Sequence, residues 1–343
     1  MADNTTHMRA EIEEIPAAIE RFLAGSGPAV KEAAAALAAK NPQMIATIAR
    51  GSSDHAAAFL KYAIELTAGI PVTSLAPSVA SIYGAQLQMG NTATISVSQS
   101  GESPDIIAAT EMAKKGGALT LTLTNKLQSP LAKIADNAID IAAGPELSVA
   151  ATKSFFTSII AGLAILAEWQ NDDALRQGLK ALPDQVRQAL NCDWSELTGV
   201  IDGDNSLFVL GRGPTMAIAS EVALKFKETC GLHAEAYSAA EVMHGPVALV
   251  EPAFPVLVLA ARDAAEASCL AAAEKLAADG ADAFITADGT NKSRKLAFAA
   301  TGHPLTDALC LVVPFYAFVE GYARHRGLNP DQPPRLRKVT ETR

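Results

Sequence analysis

Two stretches of this chain carry the same punctuation 162 residues apart: Arg50-Gly51 and Gly69 recur as Arg212-Gly213 and Gly231. In each copy a short apolar run leads into the Arg-Gly pair (QMIATIARG, 43–51, and NSLFVLGRG, 205–213), and a helical pattern ends at the second glycine. Runs this short and this uniformly apolar suit strands buried on both faces. More follow the first copy, at TATISVS (92–98), ALTLTLT (118–124) and AIDIAA (138–143). The stretches SDHAAAFLKYAIELTAG, SPDIIAATEMAKKGG and SPLAKIAD between them have helical spacing. After the second copy come FPVLVLA, ADAFITA and LCLVV, again read as strands. Alternation of strand and helix predicts a parallel sheet covered on both sides, and its recurrence in register predicts an internal duplication. The expected fold class is α/β, with two doubly wound parallel-sheet domains. The expected boundaries are a helical segment over 1–40, a first domain over 41–196, a second over 197–328 and a tail over 329–343, with a long helical linker at roughly 153–202.

Composition narrows the class of partner. An alanine-rich chain that is 49% hydrophobic and only 5% aromatic suits helices packed through small side chains. The net charge of −9 argues against nucleic acid and against an anionic membrane. No apolar run has the length of a membrane span, and MADNTTHMRAEIEEIP lacks the charged-then-apolar order of a signal peptide, so a cytoplasmic location is expected. Cys192, Cys230, Cys269 and Cys310 are scattered without CxxC spacing, and neither disulfides nor a zinc site is expected.

In doubly wound sheets ligands bind beyond the carboxyl ends of the strands, where strand order reverses. SVSQSGESPD (96–105) stands at such an end. Pro104 suits a first helical turn, Ser103 the N-cap before it, and Asp105 the positive end of the helix. Ser98, Ser100 and Ser103 offer hydroxyls, and Gly101 lets backbone N–H groups approach a ligand. Together these make an anion site without a lysine, and a phosphate is its natural occupant. A capped turn with solvated serines would account for SxSG alone. Two observations weigh against that: the first strand also ends in serines, RGSSDHA (50–56), which brings Ser52 and Ser53 to the same crevice. The matching stretch of the second copy, AARDAAEA (260–267), has no serine loop.

The second copy carries the ionisable groups. Glu221, Lys225 and Glu228 follow at spacings of four and three and share a helix face. A solvated salt-bridge ladder has the same spacing, but Ala219, Val222, Ala223 and Phe226 fill the adjoining stripe. A carboxylate near a helix C-terminus is disfavoured by the dipole, which moves its pKa up toward the range useful for a base. EVMHGP puts His244 in a turn before Gly-Pro; taken alone, it reads as a packed core or loop histidine.

The motifs SQSGES, AATKSF (150–155), ALKFKE, HAEAYSAAEVMHGP and LRKVTET occur in this order and closely resemble those of the sugar isomerase (SIS) double-domain family. The resemblance runs from about residue 10 to the end. It is closest to the stand-alone type II glucosamine-6-phosphate deaminases and to the isomerase half of glutamine:fructose-6-phosphate amidotransferase. It implies flavodoxin-like sheets and a homodimer acting on a phosphorylated sugar. It implies that Ser98, Gln99, Ser100 and Ser103, with Ser53 nearby, hold the phosphate. Glu228 would move a proton between C1 and C2, and Lys225 would order the site. His244, from the neighbouring subunit, would assist ring opening, and Lys338 would be a further site residue. The backbone around Val149 would contact substrate hydroxyls. The serine that the family carries in VAST is Ala151 here, which bears on the substrate.

A histidine titrating near neutrality suits ring opening, a carboxylate suits proton transfer beside a carbonyl, and Lys338 suits a developing oxyanion. No metal and no organic cofactor is required. The tail LNPDQPPRLRKVTETR, with Arg335, Arg337 and Lys338, is expected to act as a lid over the site. The chain begins MADN, has no cysteine before Cys192, and reaches its first strand by about residue 43, so no glutaminase domain is expected. The expected reaction is glucosamine 6-phosphate plus water to fructose 6-phosphate plus ammonia. A fructosamine-phosphate deglycase, a galactosamine-6-phosphate deaminase, another phosphosugar isomerase and a non-enzymatic sugar-phosphate sensor are the alternatives.

Overall fold

The computed structural model describes residues 5–204 and 206–338. Helices α1 (His7–Glu13), α2 (Ile15–Gly25) and α3 (Gly27–Lys40) open the chain. There follow β1 (Met44–Ile48), α4 (Ser52–Ala68), β2 (Val72–Ser74), α5 (Ser78–Ser81), β3 (Thr92–Val97) and α6 (Pro104–Lys115). Then come β4 (Leu119–Thr124), α7 (Pro130–Ile134), β5 (Asn137–Asp140), α8 (Lys153–Trp169), α9 (Asp173–Ala189) and α10 (Thr198–Ile201). The second series is β6 (Ser206–Gly211), α11 (Pro214–Cys230), β7 (His233–Ser238), β8 (Pro255–Val258) and α12 (Glu266–Ala278). It closes with β9 (Asp282–Ile285), β10 (Arg294–Lys295), α13 (Pro304–Cys310) and α14 (Val312–His325).

Two compact units result, interleaved along the sequence. The first takes Glu14–Glu146, Ala151–Pro183 and the chain from Arg337 on; the second takes the chain up to Glu13, Leu147–Ala150 and Asp184–Leu336. Each holds a five-stranded, wholly parallel sheet, ordered β2-β1-β3-β4-β5 in the first and β10-β9-β8-β6-β7 in the second. Counted from its own first strand, each sheet has the order 2-1-3-4-5, the flavodoxin-like winding. Every residue of β3 and β8 is buried, as parallel strands under helices on both faces must be.

The duplication extends to backbone conformation. Gly51 (φ 55°, ψ −134°) and Gly213 (φ 64°, ψ −138°) turn each first strand into a helix of 17 residues. Gly69 (φ 67°) and Gly231 (φ 59°) end those helices in the left-handed conformation, and the N–H groups of Gly231 and Leu232 are donated to the Phe226 carbonyl.

LCLVV (309–313) is not a strand. It lies where α13 runs into α14, started by Pro304 and by the His303 ring nitrogen, which accepts the Leu305 N–H at 3.2 Å. A five-residue apolar run has no period of its own, so a buried helix and a buried strand look alike there. Residues Pro304–His325, spanning α13 and α14, are long and apolar enough to cross a membrane, but 89% of the apolar window is buried inside the structure. The strands without an apolar run, β2, β7 and β10, are all sheet edges. The four cysteines are free thiols.

Gly213→Ala should lower stability by about 1–3 kcal/mol, because its φ/ψ is open to glycine and strained for any residue with a Cβ. Gly25→Ala, with an ordinary φ and nothing within 4 Å of the added Cβ, should not destabilise. Urea unfolding of the two variants checks both.

Candidate functional site

In the first unit the serine loop leaves β3 beside the end of β1. The connections from these two neighbouring strands run to opposite sides of the sheet, β1 to β2 and β3 to β4, so a crevice opens where they part. Ser98 and Ser100 are buried, and Gln99 is half-buried with its carbonyl accepting the Asn125 N–H at 3.2 Å. The backbone N–H groups expected to be open to a ligand are turned inward. Gly101 donates to Ser98 Oγ at 3.1 Å and Glu102 to Ser100 Oγ at 3.3 Å. A hydroxyl that accepts in this way keeps its own proton to donate, so the loop offers O–H donors. Gly101 is required for a different reason: its φ is +63°, and a Cβ there would lie 2.2 Å from Ser129 Oγ.

Ser103 occupies the N-cap of α6 with extended backbone, but its side chain makes no capping bond. Asp105 takes that part. Its buried carboxylate accepts the Ile106 N–H at 2.9 Å and the Arg50 Nε–H at 2.9 Å, joining the ends of β1 and β3. Ser53 lies half-buried in the first turn of α4.

The first unit also holds Lys338. Its Nζ donates to Glu146 Oε2 at 2.9 Å. Glu146 is fully buried and accepts the N–H groups of Thr152 (3.1 Å) and Ser154 (3.0 Å) and the Ser154 hydroxyl (2.7 Å). Burial alone would push its carboxyl up, but Lys338 and Ser154 outweigh that and hold it below the usual carboxylate value. Ala151, half-buried, directly precedes this helix start. Glu146 escaped the sequence reading, because nothing local marks a carboxylate six residues ahead of a helix N-cap.

In the second unit α11 bears the acid–base cluster. Lys225 Nζ lies 3.2 Å from Glu221 Oε1 and 2.5 Å from Glu228 Oε2, with Lys225 and Glu221 fully buried and Glu228 22% exposed. The ladder is thus interior, and Glu228 is the member that reaches solvent. Burial alone would push the Lys225 ammonium pKa down; the carboxylates of Glu221 and Glu228 reverse this and raise it above the ordinary value. Tyr316 on α14 completes the cluster by donating to Glu221 Oε1 at 3.1 Å. Val149 belongs to this unit too, with its N–H donated to the Asp331 carbonyl at 3.1 Å. His244 follows a short 3-10 turn and precedes Gly245, whose φ is 135°. Its ring is exposed, and no side-chain partner for it is found among the described residues. The tail residues Arg335, at φ 67°, and Arg337 are both exposed, and residues 339–343 lie outside the described residues.

Lys225→Met should cost about 3–5 kcal/mol, because it strands the fully buried Glu221 without its cation. Adding Glu221→Gln should restore part of that, as read by denaturant unfolding. A second expectation concerns pH. The folded carboxyl of Glu146 sits below its unfolded value of 4.5, so its contribution is complete above that pH and is lost as the pH falls through the folded value. Glu146→Gln should therefore flatten the acid limb of the stability curve below pH 4.5.

Comparison with known proteins places these features in a family. The SIS domain model matches residues 39–167 and 201–298, one match over each sheet. The isomerizing glutamine–fructose-6-phosphate aminotransferase of Symbiobacterium thermophilum is 34% identical over 312 residues, which cover 86% of this chain and 51% of that protein. The chain thus spans about half the length of the curated relatives it matches. Among solved structures, a protein from Silicibacter pomeroyi assigned as a phosphosugar isomerase is 52% identical with a TM-score of 0.92, covering 95% of this chain and all of that one. The C-terminal domain of glucosamine-fructose-6-phosphate aminotransferase from Francisella tularensis is 27% identical with a TM-score of 0.85, covering 96% and 99%. Matched over both copies of its repeated sheet, the chain belongs to the SIS domain family.

Proposed function

We propose that this protein is an enzyme acting on phosphorylated amino sugars, converting glucosamine 6-phosphate and water to fructose 6-phosphate and ammonia. The observation that carries this reading is the interior Glu221–Lys225–Glu228 cluster, in which one carboxylate of a buried ion-pair network is left partly open to solvent. Such a carboxylate can meet a ligand while the lysine holds its orientation.

The roles follow from the chemistry. The hydroxyls of Ser98, Ser100 and Ser103, with Gln99 and Ser53, hold the phosphate. His244, exposed and lacking a side-chain partner among the described residues, serves ring opening in a second copy of the chain within a homodimer. Glu228 removes the proton from C2 of the open aldose, giving the enolamine. Return of a proton to C1 leaves an imine at C2. Water adds there, the C–N bond breaks, and ammonia departs with the ketose phosphate. Lys338 balances the oxyanion that develops at O1. The backbone of Val149 and the small Ala151 meet the sugar hydroxyls. The reaction can run either way over these groups, and with water abundant and ammonia dilute, mass action favours release. A second reading, aldose–ketose isomerisation without ammonia release, draws its support from the 52% identical protein assigned as a phosphosugar isomerase.

Given glucosamine 6-phosphate alone, the purified chain should release ammonia and fructose 6-phosphate, with no response to glutamine. Glu228→Gln should lower kcat by roughly 10²–10⁴-fold. Ser98→Ala with Ser100→Ala should raise KM for the phosphosugar about tenfold or more, each lost hydrogen bond to a charged group being worth about 1.5–3 kcal/mol. Glu228→Gln and His244→Asn subunits, each inactive, should regain activity when mixed. Interconversion of glucose 6-phosphate and fructose 6-phosphate without ammonia would select the second reading, and tight binding without turnover would leave a sensor.

A further inference from the structure

Asp331 joins three segments of the second unit. Its carboxylate accepts the N–H groups of His7 and Met8 at the start of α1, both at 2.8 Å. Its carbonyl accepts the Val149 N–H at 3.1 Å, and its own N–H goes to Asn329 Oδ1 at 3.0 Å. The segment it holds is pinned again one residue earlier, where the Ser148 hydroxyl donates to the Pro330 carbonyl at 3.4 Å.

The helix on the other side of this junction is itself immobilised. Arg9 donates to the fully buried carboxylate of Glu320 on α14 at 2.9 Å and to the Ala317 carbonyl at 2.7 Å, and the Thr6 hydroxyl reaches Glu320 at 2.9 Å. Buried Glu11, one turn further along α1, accepts the N–H groups of Leu147 and Ser148. So α1, the segment 147–149 and the start of the tail are cross-braced, with Asp331 at the crossing. Seven residues after Asp331 the chain reaches Lys338 and its ion pair with Glu146. Glu146 is in turn covalently next to Leu147. Pro333 and Pro334 fix two of the φ angles in the seven-residue connection and so reduce its freedom.

We infer that Asp331 is a positioning residue for Lys338: capping α1 with its carboxylate and bracing 147–149 with its carbonyl, it sets the starting point from which the tail presents the lysine. This rests on the reading of Lys338 as a site residue, and the experiment separates the two. In the full-length protein, Asp331→Ala should raise amide exchange over 332–338, and tryptic cleavage after Arg337, roughly tenfold or more, with strand amides unchanged. It should lower kcat for glucosamine 6-phosphate about 10–100-fold and leave KM within about threefold, because the phosphate loop is untouched. Asp331→Asn, which keeps one acceptor oxygen, should fall between and guards against a fold effect. Lys338→Ala should match the kcat loss, and Asp331→Ala added to it should cost nothing further. Unchanged exchange in the tail, a loosened tail with full kcat, or losses that multiply in the double variant would each overturn the inference. If wild-type protein turns over no aminosugar phosphate, the functional reading fails, and tail exchange alone then decides whether Asp331 is the anchor.

Discussion

A parallel strand buried on both faces has no side on which to put chemistry. The sheets of this protein obey that constraint, with β3 and β8 wholly buried and apolar or hydroxylic side chains along their length. One inward hydroxyl of β3 is paired, Ser96 meeting Thr110 of α6 at 2.7 Å while Thr110 donates back to the Ile106 carbonyl, whereas the buried Thr94 and Thr122 hydroxyls have no hydrogen-bond partner among the described residues. Ionisable and ligand-facing groups are therefore confined to strand ends and to helix faces. Within the first unit the serine loop takes the one strand end where the winding opens a crevice.

The buried charges follow from the same constraint. Glu221, Lys225, Glu146 and Glu320 all lie inside, and each is matched by a partner of opposite sign. An ion taken out of water is tolerated only when paired and hydrogen-bonded. Glu146 meets this twice over: it accepts N–H groups at the positive end of α8, then pairs with Lys338. A carboxylate placed there by the needs of a helix start is thereby available to hold a cation from the tail.

Legibility along the sequence followed burial. Central strands appeared as runs of apolar and hydroxylic residues, because both faces are buried, whereas β2, β7 and β10 did not, because these edge strands are partly exposed. LCLVV misled for the opposite reason: α13 and α14 are so deeply buried that their polar face vanishes, and with it the helical period. Within the serine loop the residues were legible and their bonding was not. Ser103 stands at the N-cap, yet Asp105 does the bonding there, and Ser98 and Ser100 accept the N–H groups that composition alone would assign to a ligand.

By itself the sequence determined the two windings, the matched Gly51 and Gly213 turns, the place of the serine loop, and the shared face of Glu221, Lys225 and Glu228. All of these rest on local periods or on backbone conformations that only glycine adopts freely. The tertiary structure alone decided which charges are interior and what each one meets. It brought Lys338 to Glu146, 192 positions away, Tyr316 to Glu221, 95 away, and Asp331 to the first turn of α1, 324 away. Such pairings carry no period and no local conformational signature. They exist because a folded chain finds partners for most of the polar groups it buries, and for every ion among these, wherever along the sequence the partner happens to lie.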